Sequence, residues 1–150
     1  MNSLSEEVMR DMEVMYNECQ SRSDIEAVVL ISGKIGCFIA GADINMIEAC
    51  KTAEEAQALS KGCQDFLERV EKSSKPVVAA IMGPCLGGGL ETAMACHFRV
   101  AVDGKNCDGC RIFLPLRFYV KTKLTNLEPQ KLPFFKTRLR LLIFMNFCTV

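Results

Sequence analysis

The chain has 150 residues and carries 18 Lys/Arg against 18 Asp/Glu, enough length for one domain with a real core and no overall pull toward nucleic acid or an anionic membrane. That balance hides a division: up to Gly104 nine Lys/Arg face sixteen Asp/Glu, and from Lys105 onward nine face two, with six of the nine phenylalanines in the last third. Such a shift in charge and aromatic content places a boundary at about residue 104. The acidic, polar start Met1-Asn-Ser-Leu-Ser-Glu-Glu has the character of neither a secretory signal nor a transit peptide, and no apolar run reaches the roughly 18 residues that a membrane span requires.

The spacing predicts an amphipathic helix over residues 3–20. Ser3-Leu-Ser-Glu6 has the form of a capping box, and Leu4, Val8, Met12, Met15 and Cys19 make one apolar stripe. Ala27-Val-Val-Leu-Ile-Ser32 reads as a buried strand, followed by a loop that ends in Phe38-Ile-Ala-Gly-Ala-Asp-Ile44. Ala40, Gly41 and Ala42 are small enough for a ligand to lie against the backbone, and Asp43 can cap a short turn of helix starting at Ile44. Thr52-Ala-Glu-Glu55 opens a longer capped helix whose apolar face is Ala56, Leu59, Cys63, Phe66, Leu67 and Val70. Pro76 sets its end, because the residue before a proline is pushed out of helical conformation.

A second buried strand, Val77–Ile81, leads into Met82-Gly-Pro-Cys-Leu-Gly-Gly-Gly-Leu-Glu91, then a helix to about Cys96 and a final strand at Phe98–Val102. Gly87, Gly88 and Gly89 free the backbone to turn from strand to helix. A helix start leaves unpaired N–H groups that can hold an anion or a developing oxyanion, and Glu91 stands on the first turn beside them. Taken alone, a glycine run is just as well a tight turn with a solvated glutamate. The strand–helix–strand–helix–strand order is that of a parallel, right-handed α/β layer fold.

The nine cysteines are mostly scattered singly through apolar segments, the pattern of reduced core thiols. Cys107-Asp-Gly-Cys110 has metal-ligand spacing, but no second pair follows and no metal site is expected. The lone histidine, His97, reads as a packing or surface residue. No Gly-x-Gly-x-x-Gly dinucleotide fingerprint is present.

The two glycine-bearing segments, Phe38-Ile-Ala-Gly-Ala-Asp-Ile44 and Cys85-Leu-Gly-Gly-Gly-Leu-Glu91, resemble in wording, order and separation the signatures of the enoyl-CoA hydratase/isomerase (crotonase) superfamily. The branch they look most like is the hydratase part of the mitochondrial trifunctional enzyme alpha subunits. The resemblance covers about residues 2–104. It implies a partial crotonase-like acyl-CoA-binding domain with the ββα spiral fold, incomplete because the first strand and the C-terminal half are not recognisable. Residues 105–150 are then a divergent basic, aromatic tail.

The resemblance further implies that the N–H groups of Ala42 and Gly88 hold the thioester oxygen of an acyl-CoA, and that Glu91 activates the water added across a 2-enoyl-CoA double bond. The backbone at Ala40, Gly41, Asp43, Ile44, Gly87 and Gly89 would line the substrate. No cofactor is implied beyond the coenzyme A of the substrate. The other implied partners are a further copy of the chain or a β-oxidation partner subunit, with no nucleic acid, and the implied location is mitochondrial. The family's second glutamate has no counterpart, since Glu128 lies in the foreign context Asn126-Leu-Glu-Pro129. A catalytically inactive chain that at most binds acyl-CoA or a partner subunit is therefore the alternative.

Overall fold

The computed structural model describes residues 2–34 and 36–102, together with a strand at 144–145. Its elements in chain order are α1 (Glu6–Ser21), β1 (Val28–Ser32), α2 (Ile44–Glu48), α3 (Ala53–Glu71), β2 (Val77–Ile81), α4 (Gly88–Ala95), β3 (Phe98–Ala101) and β4 (Phe144–Met145). The sheet runs in the order β3-β2-β1-β4, and every pairing is parallel. β1 and β2 are nearly continuous apolar runs, as strands covered on both faces must be. The α/β layer fold expected from the element order is thus observed. The boundary expected near residue 104, the Cys107/Cys110 pair and Glu128 lie outside the described residues.

Two local expectations are corrected, and one strand is added. The first helix is capped by Ser5, whose hydroxyl accepts from the Val8 N–H, and not by Ser3. The reason lies upstream: Leu4 is held in a parallel bridge to Ala42, so the chain cannot become helical before Ser5. Secondly, the apolar face of α3 is buried only at Phe66 and Val70, while Ala56 is exposed and Leu59 and Cys63 are half-buried. A helix of 19 residues is about 28 Å long and a strand of five spans only ~17 Å, so the first turns of α3 overhang the sheet. The added strand is β4, which lies in the basic, aromatic tail, takes the free edge of β1 and pairs Phe144 with Ile31 and Met145 with Ser32. An open parallel edge offers unpaired donors and acceptors to any extended segment.

The main core lies between the sheet and helices α1, α3 and α4, with Met12, Phe38, Ile39, Phe66, Val70, Ile81 and Ala93 among its buried members. Two cations close helix ends from other elements. Lys75 Nζ donates to the carbonyls of Cys19, Gln20 and Arg22 at the end of α1, and buried Arg99 on β3 donates to those of Ala93, Met94 and Cys96 at the end of α4. Both satisfy orphan carbonyls and oppose the negative end of the helix dipole. His97 accepts a hydrogen bond from the Val77 N–H through Nδ1 at 3.2 Å, a packing role as expected. The six described cysteines, Cys19, Cys37, Cys50, Cys63, Cys85 and Cys96, are free thiols.

Candidate functional site

The two glycine-bearing loops leave the C-terminal ends of the neighbouring parallel strands β1 and β2, which is where open α/β sheets leave a crevice. They dock backbone to backbone. The Leu86 N–H donates to the Ile39 carbonyl at 3.3 Å, and a Cβ placed on Gly89 would stand 2.0 Å from that same oxygen. Gly83 meets the Gly36 carbonyl just as closely, at 2.1 Å from its own Cβ position. Only residues without side chains allow this approach, so the spacing of glycines in each loop is read by the other loop. Gly41 and Gly87 add backbone conformations with φ of 135° and 47°, which L side chains rarely adopt.

This docking brings Ala42 and Gly88 together. The Cβ position of Gly88 lies 3.6 Å from the Ala42 nitrogen. Gly88 is the first residue of α4, and the helix start has no side-chain cap. Gly89 and Leu90 donate to the Leu86 carbonyl and Glu91 to that of Gly87, which leaves the Gly88 N–H without an acceptor among the described residues. The Ala42 N–H is in the same state: its neighbours make the bridge to Leu4, through Leu4 N–H to the Gly41 carbonyl and Asp43 N–H to the Leu4 carbonyl, so its own N–H turns the other way. The two N–H groups thus come from separate loops, lie close together and have no acceptor among the described residues, which suits them to an acceptor oxygen placed between them.

Glu91 stands exposed on the first turn of α4, three residues past Gly88. Cys63 on α3 faces it: burial pushes that thiol above its ordinary range, and the Glu91 charge adds to the effect. Asp43 caps α2, its carboxylate accepting from the Asn45 N–H at 3.0 Å, as the sequence led us to expect. Ala40 is tied by its N–H to the Asn2 carbonyl. Ile44, Ile47 and Leu86 are large apolar side chains exposed around the two loops, at 69%, 51% and 51%. Among the described residues, no group of three or more His, Cys, Asp or Glu could hold a metal ion, and no helix is long and apolar enough to cross a membrane.

Sequence reasoning missed Asn2, Leu4 and Cys63 as neighbours of these loops. Leu4 was hidden because it was read as part of the first helix, Asn2 because it precedes that helix and fits no local pattern, and Cys63 because a helix stripe does not say what faces its exposed end.

A parallel sheet whose strand ends present two docked glycine loops and a pair of free N–H groups defines a crotonase-like fold. The chain belongs to the enoyl-CoA hydratase/isomerase family, whose sequence profile matches residues 1–107. Among curated proteins it is similar to the fatty acid oxidation complex subunit alpha of Idiomarina loihiensis, 50% identical over 103 residues, which cover 69% of this chain and 14% of that protein. The subunit of the same name from Vibrio vulnificus is 44% identical over 115 residues, 77% of this chain and 16% of its own length. The chain thus spans about one seventh of the length of these relatives.

Among solved structures, it resembles enoyl-CoA hydratase from Bacillus anthracis (29% identity, TM-score 0.63, 68% of this chain and 39% of that one). It also resembles enoyl-CoA hydratase from Thermoplasma volcanium (28% identity, TM-score 0.61, 67% and 39%). One expectation falls here. The similar alpha subunits come from bacteria, which have no mitochondria, and this overturns the mitochondrial location implied by the resemblance.

Proposed function

We propose that the chain binds the acyl thioester of coenzyme A between its two glycine loops and that the reaction of the site is hydration of a 2-enoyl-CoA in fatty-acid β-oxidation. The observation that carries this reading is the adjacency of the N–H groups of Ala42 and Gly88, neither of which has an acceptor among the described residues. Attack of water at the β-carbon moves the π electrons toward the thioester oxygen, and two preorganised donors lower the barrier by stabilising the charge that gathers there. Glu91 takes the proton of the attacking water as general base. The backbone at Ala40, Gly41, Asp43, Ile44, Gly87 and Gly89 lines the ligand, and the coenzyme A is part of the substrate, so no further cofactor is needed. The names of the relatives as subunits of a fatty acid oxidation complex support assembly with further copies or with a β-oxidation partner, as in a multifunctional alpha subunit.

One observation favours a second reading, a chain that binds acyl-CoA without turning it over. Hydration also needs a proton delivered to the α-carbon, and no glutamate follows Glu91 among the described residues. Asp43 is engaged as a helix cap.

Calorimetric titration with a non-reactive saturated acyl-CoA tests the binding. Gly88→Pro removes one donor at a helix position that tolerates proline, and its Cβ displaces only the end of the Leu4 side chain, 3.0 Å away, so affinity should fall while the fold persists. Hydration of a short 2-enoyl-CoA, followed by loss of its ultraviolet absorbance, tests the chemistry. Glu91→Gln should lower the rate by roughly 10²- to 10⁴-fold. Binding without measurable hydration would select the second reading, and no binding at all would refute both.

A further inference from the structure

Asn2 and Leu4 lie outside the helices and the sheet, yet they touch both loops of the site. The Asn2 side-chain amide is buried and donates to Ser32 Oγ and to the Phe38 carbonyl, each at 2.8 Å, while its main-chain carbonyl accepts from the Ala40 N–H at 2.9 Å. Leu4 donates its N–H to the Gly41 carbonyl at 2.8 Å and accepts from the Asp43 N–H at 3.2 Å. The peptide groups flanking Ala42 are thereby fixed, and the Ala42 N–H is turned toward the opposite side. Leu4 reaches the second loop as well, because its Cδ1 lies 3.0 Å from the Cβ position of Gly88. One short segment therefore holds the first donor through its backbone and abuts the second through its side chain. The Asn2 Oδ1 is buried with no partner among the described residues, so the side chain is held by the two bonds of its Nδ2.

We infer that Asn2 and Leu4 form a clamp that sets the geometry of the Ala42–Gly88 donor pair, with Asn2 a positioning residue that acts through the 38–43 loop. This rests on the acyl-thioester reading of the site. The clamp acts on the carbonyl oxygen alone, so it separates from general stability in a comparison of two ligands. These are a saturated acyl-CoA and the alkyl-CoA thioether in which a methylene replaces the carbonyl.

In the parent chain the thioester should bind roughly 2- to 10-fold tighter than the thioether, the net worth of hydrogen bonds to solvated donors. The infrared stretch of a carbon-13-labelled thioester carbonyl should also move to lower frequency on binding. Asn2→Ala should bring the preference close to one and return the stretch to its solution value, with thioether affinity unchanged. Val70→Ala, which loosens the core beneath α3, should keep both the preference and the shift. If Asn2→Ala does not fold, Ser32→Ala, which deletes one of the two acceptors of Nδ2, takes its place and should lower both readouts part-way. The clamp is overturned if the folded Asn2 or Ser32 variant retains the full preference and shift, or if Val70→Ala loses them equally. A parent chain that binds the two ligands alike, with no shift, would instead remove the acyl-thioester reading, and the clamp with it.

Discussion

Replacing Gly89 by alanine tests whether the two loops dock as described. The new Cβ would stand 2.0 Å from the Ile39 carbonyl oxygen, 2.7 Å from its carbon and 2.9 Å from the Ile39 Cβ, where ordinary contact begins at 3.4 Å. The loops must therefore part by more than about 1 Å, and neither side can yield by a rotamer change because the closest atoms belong to the backbone. Ile39 is 1% exposed and its carbonyl accepts from the Leu86 N–H, so the movement breaks that bond and opens the packing around a core side chain. A lost hydrogen bond of about 1 kcal/mol and overpacking strain of about 1–3 kcal/mol sum to about 2–4 kcal/mol. At ~4–8 °C per kcal/mol for a domain near 100 residues, the melting temperature should drop by roughly 15 °C. Urea and thermal unfolding followed by circular dichroism measure both. A Gly89→Ala chain whose stability lies within about 0.5 kcal/mol of the parent would refute the docked geometry and, with it, the adjacency of Ala42 and Gly88.

Gly62 provides the opposite case: it sits inside α3 with nothing within 4 Å of its Cβ position, so Gly62→Ala should stabilise the chain by about 0.5–1 kcal/mol in the same urea experiment. Stability should also depend on alkaline pH. Burial pushes the Cys96 thiol up to about 12 from an ordinary 9.0, so above pH 9 the unfolded chain loses a proton that the folded chain keeps. Stability is then fully present below pH 9 and falls between pH 9 and 12 by up to about 1.4 kcal/mol per pH unit from this group. Cys96→Ala should flatten that slope in urea titrations across the range, and an unchanged slope would show that the thiol is not the cause.

The strands were legible in the sequence because β1 and β2 are short unbroken apolar runs bounded by turn residues, and Thr52 and Asp43 were legible because a capping side chain acts within its own few residues. The pairing of the loops was legible only as a resemblance. Nothing in the spacing of either glycine cluster states that Gly89 rests on Ile39 or Gly83 on Gly36, since each contact joins residues some fifty positions apart. The same holds for Lys75 and Arg99. Lys75 reads as an ordinary basic residue before a strand and Arg99 as one within a strand, until the fold carries a helix end to each. The Ser3 capping box failed because a local signal met a stronger tertiary one, the bonds that hold Leu4 extended against Gly41 and Asp43. Local rules place elements, and the contacts between distant backbones that build this site lie beyond their reach.

How much the donor pair can accomplish depends on water. Ala42 and Glu91 are exposed, and Ile44, Ile47 and Leu86 leave apolar surface open around them. An N–H that is hydrogen-bonded to water before the ligand arrives gains only the difference between two hydrogen bonds, about 0.5–1.5 kcal/mol, whereas a water-excluded oxyanion donor is worth roughly 2.7–4 kcal/mol to a transition state. On the proposed reading, the described residues therefore offer the donor pair in too wet a setting. The thioester-over-thioether preference of this chain should stay within about tenfold, and any hydration should be slow even with Glu91 intact. Covering the exposed side chains should raise both, which a titration in the presence of a candidate partner subunit can follow. A preference above about 100-fold in the isolated chain would mean that the pair is already sheltered from solvent, and the exposure of Ala42 could then not be what limits the site.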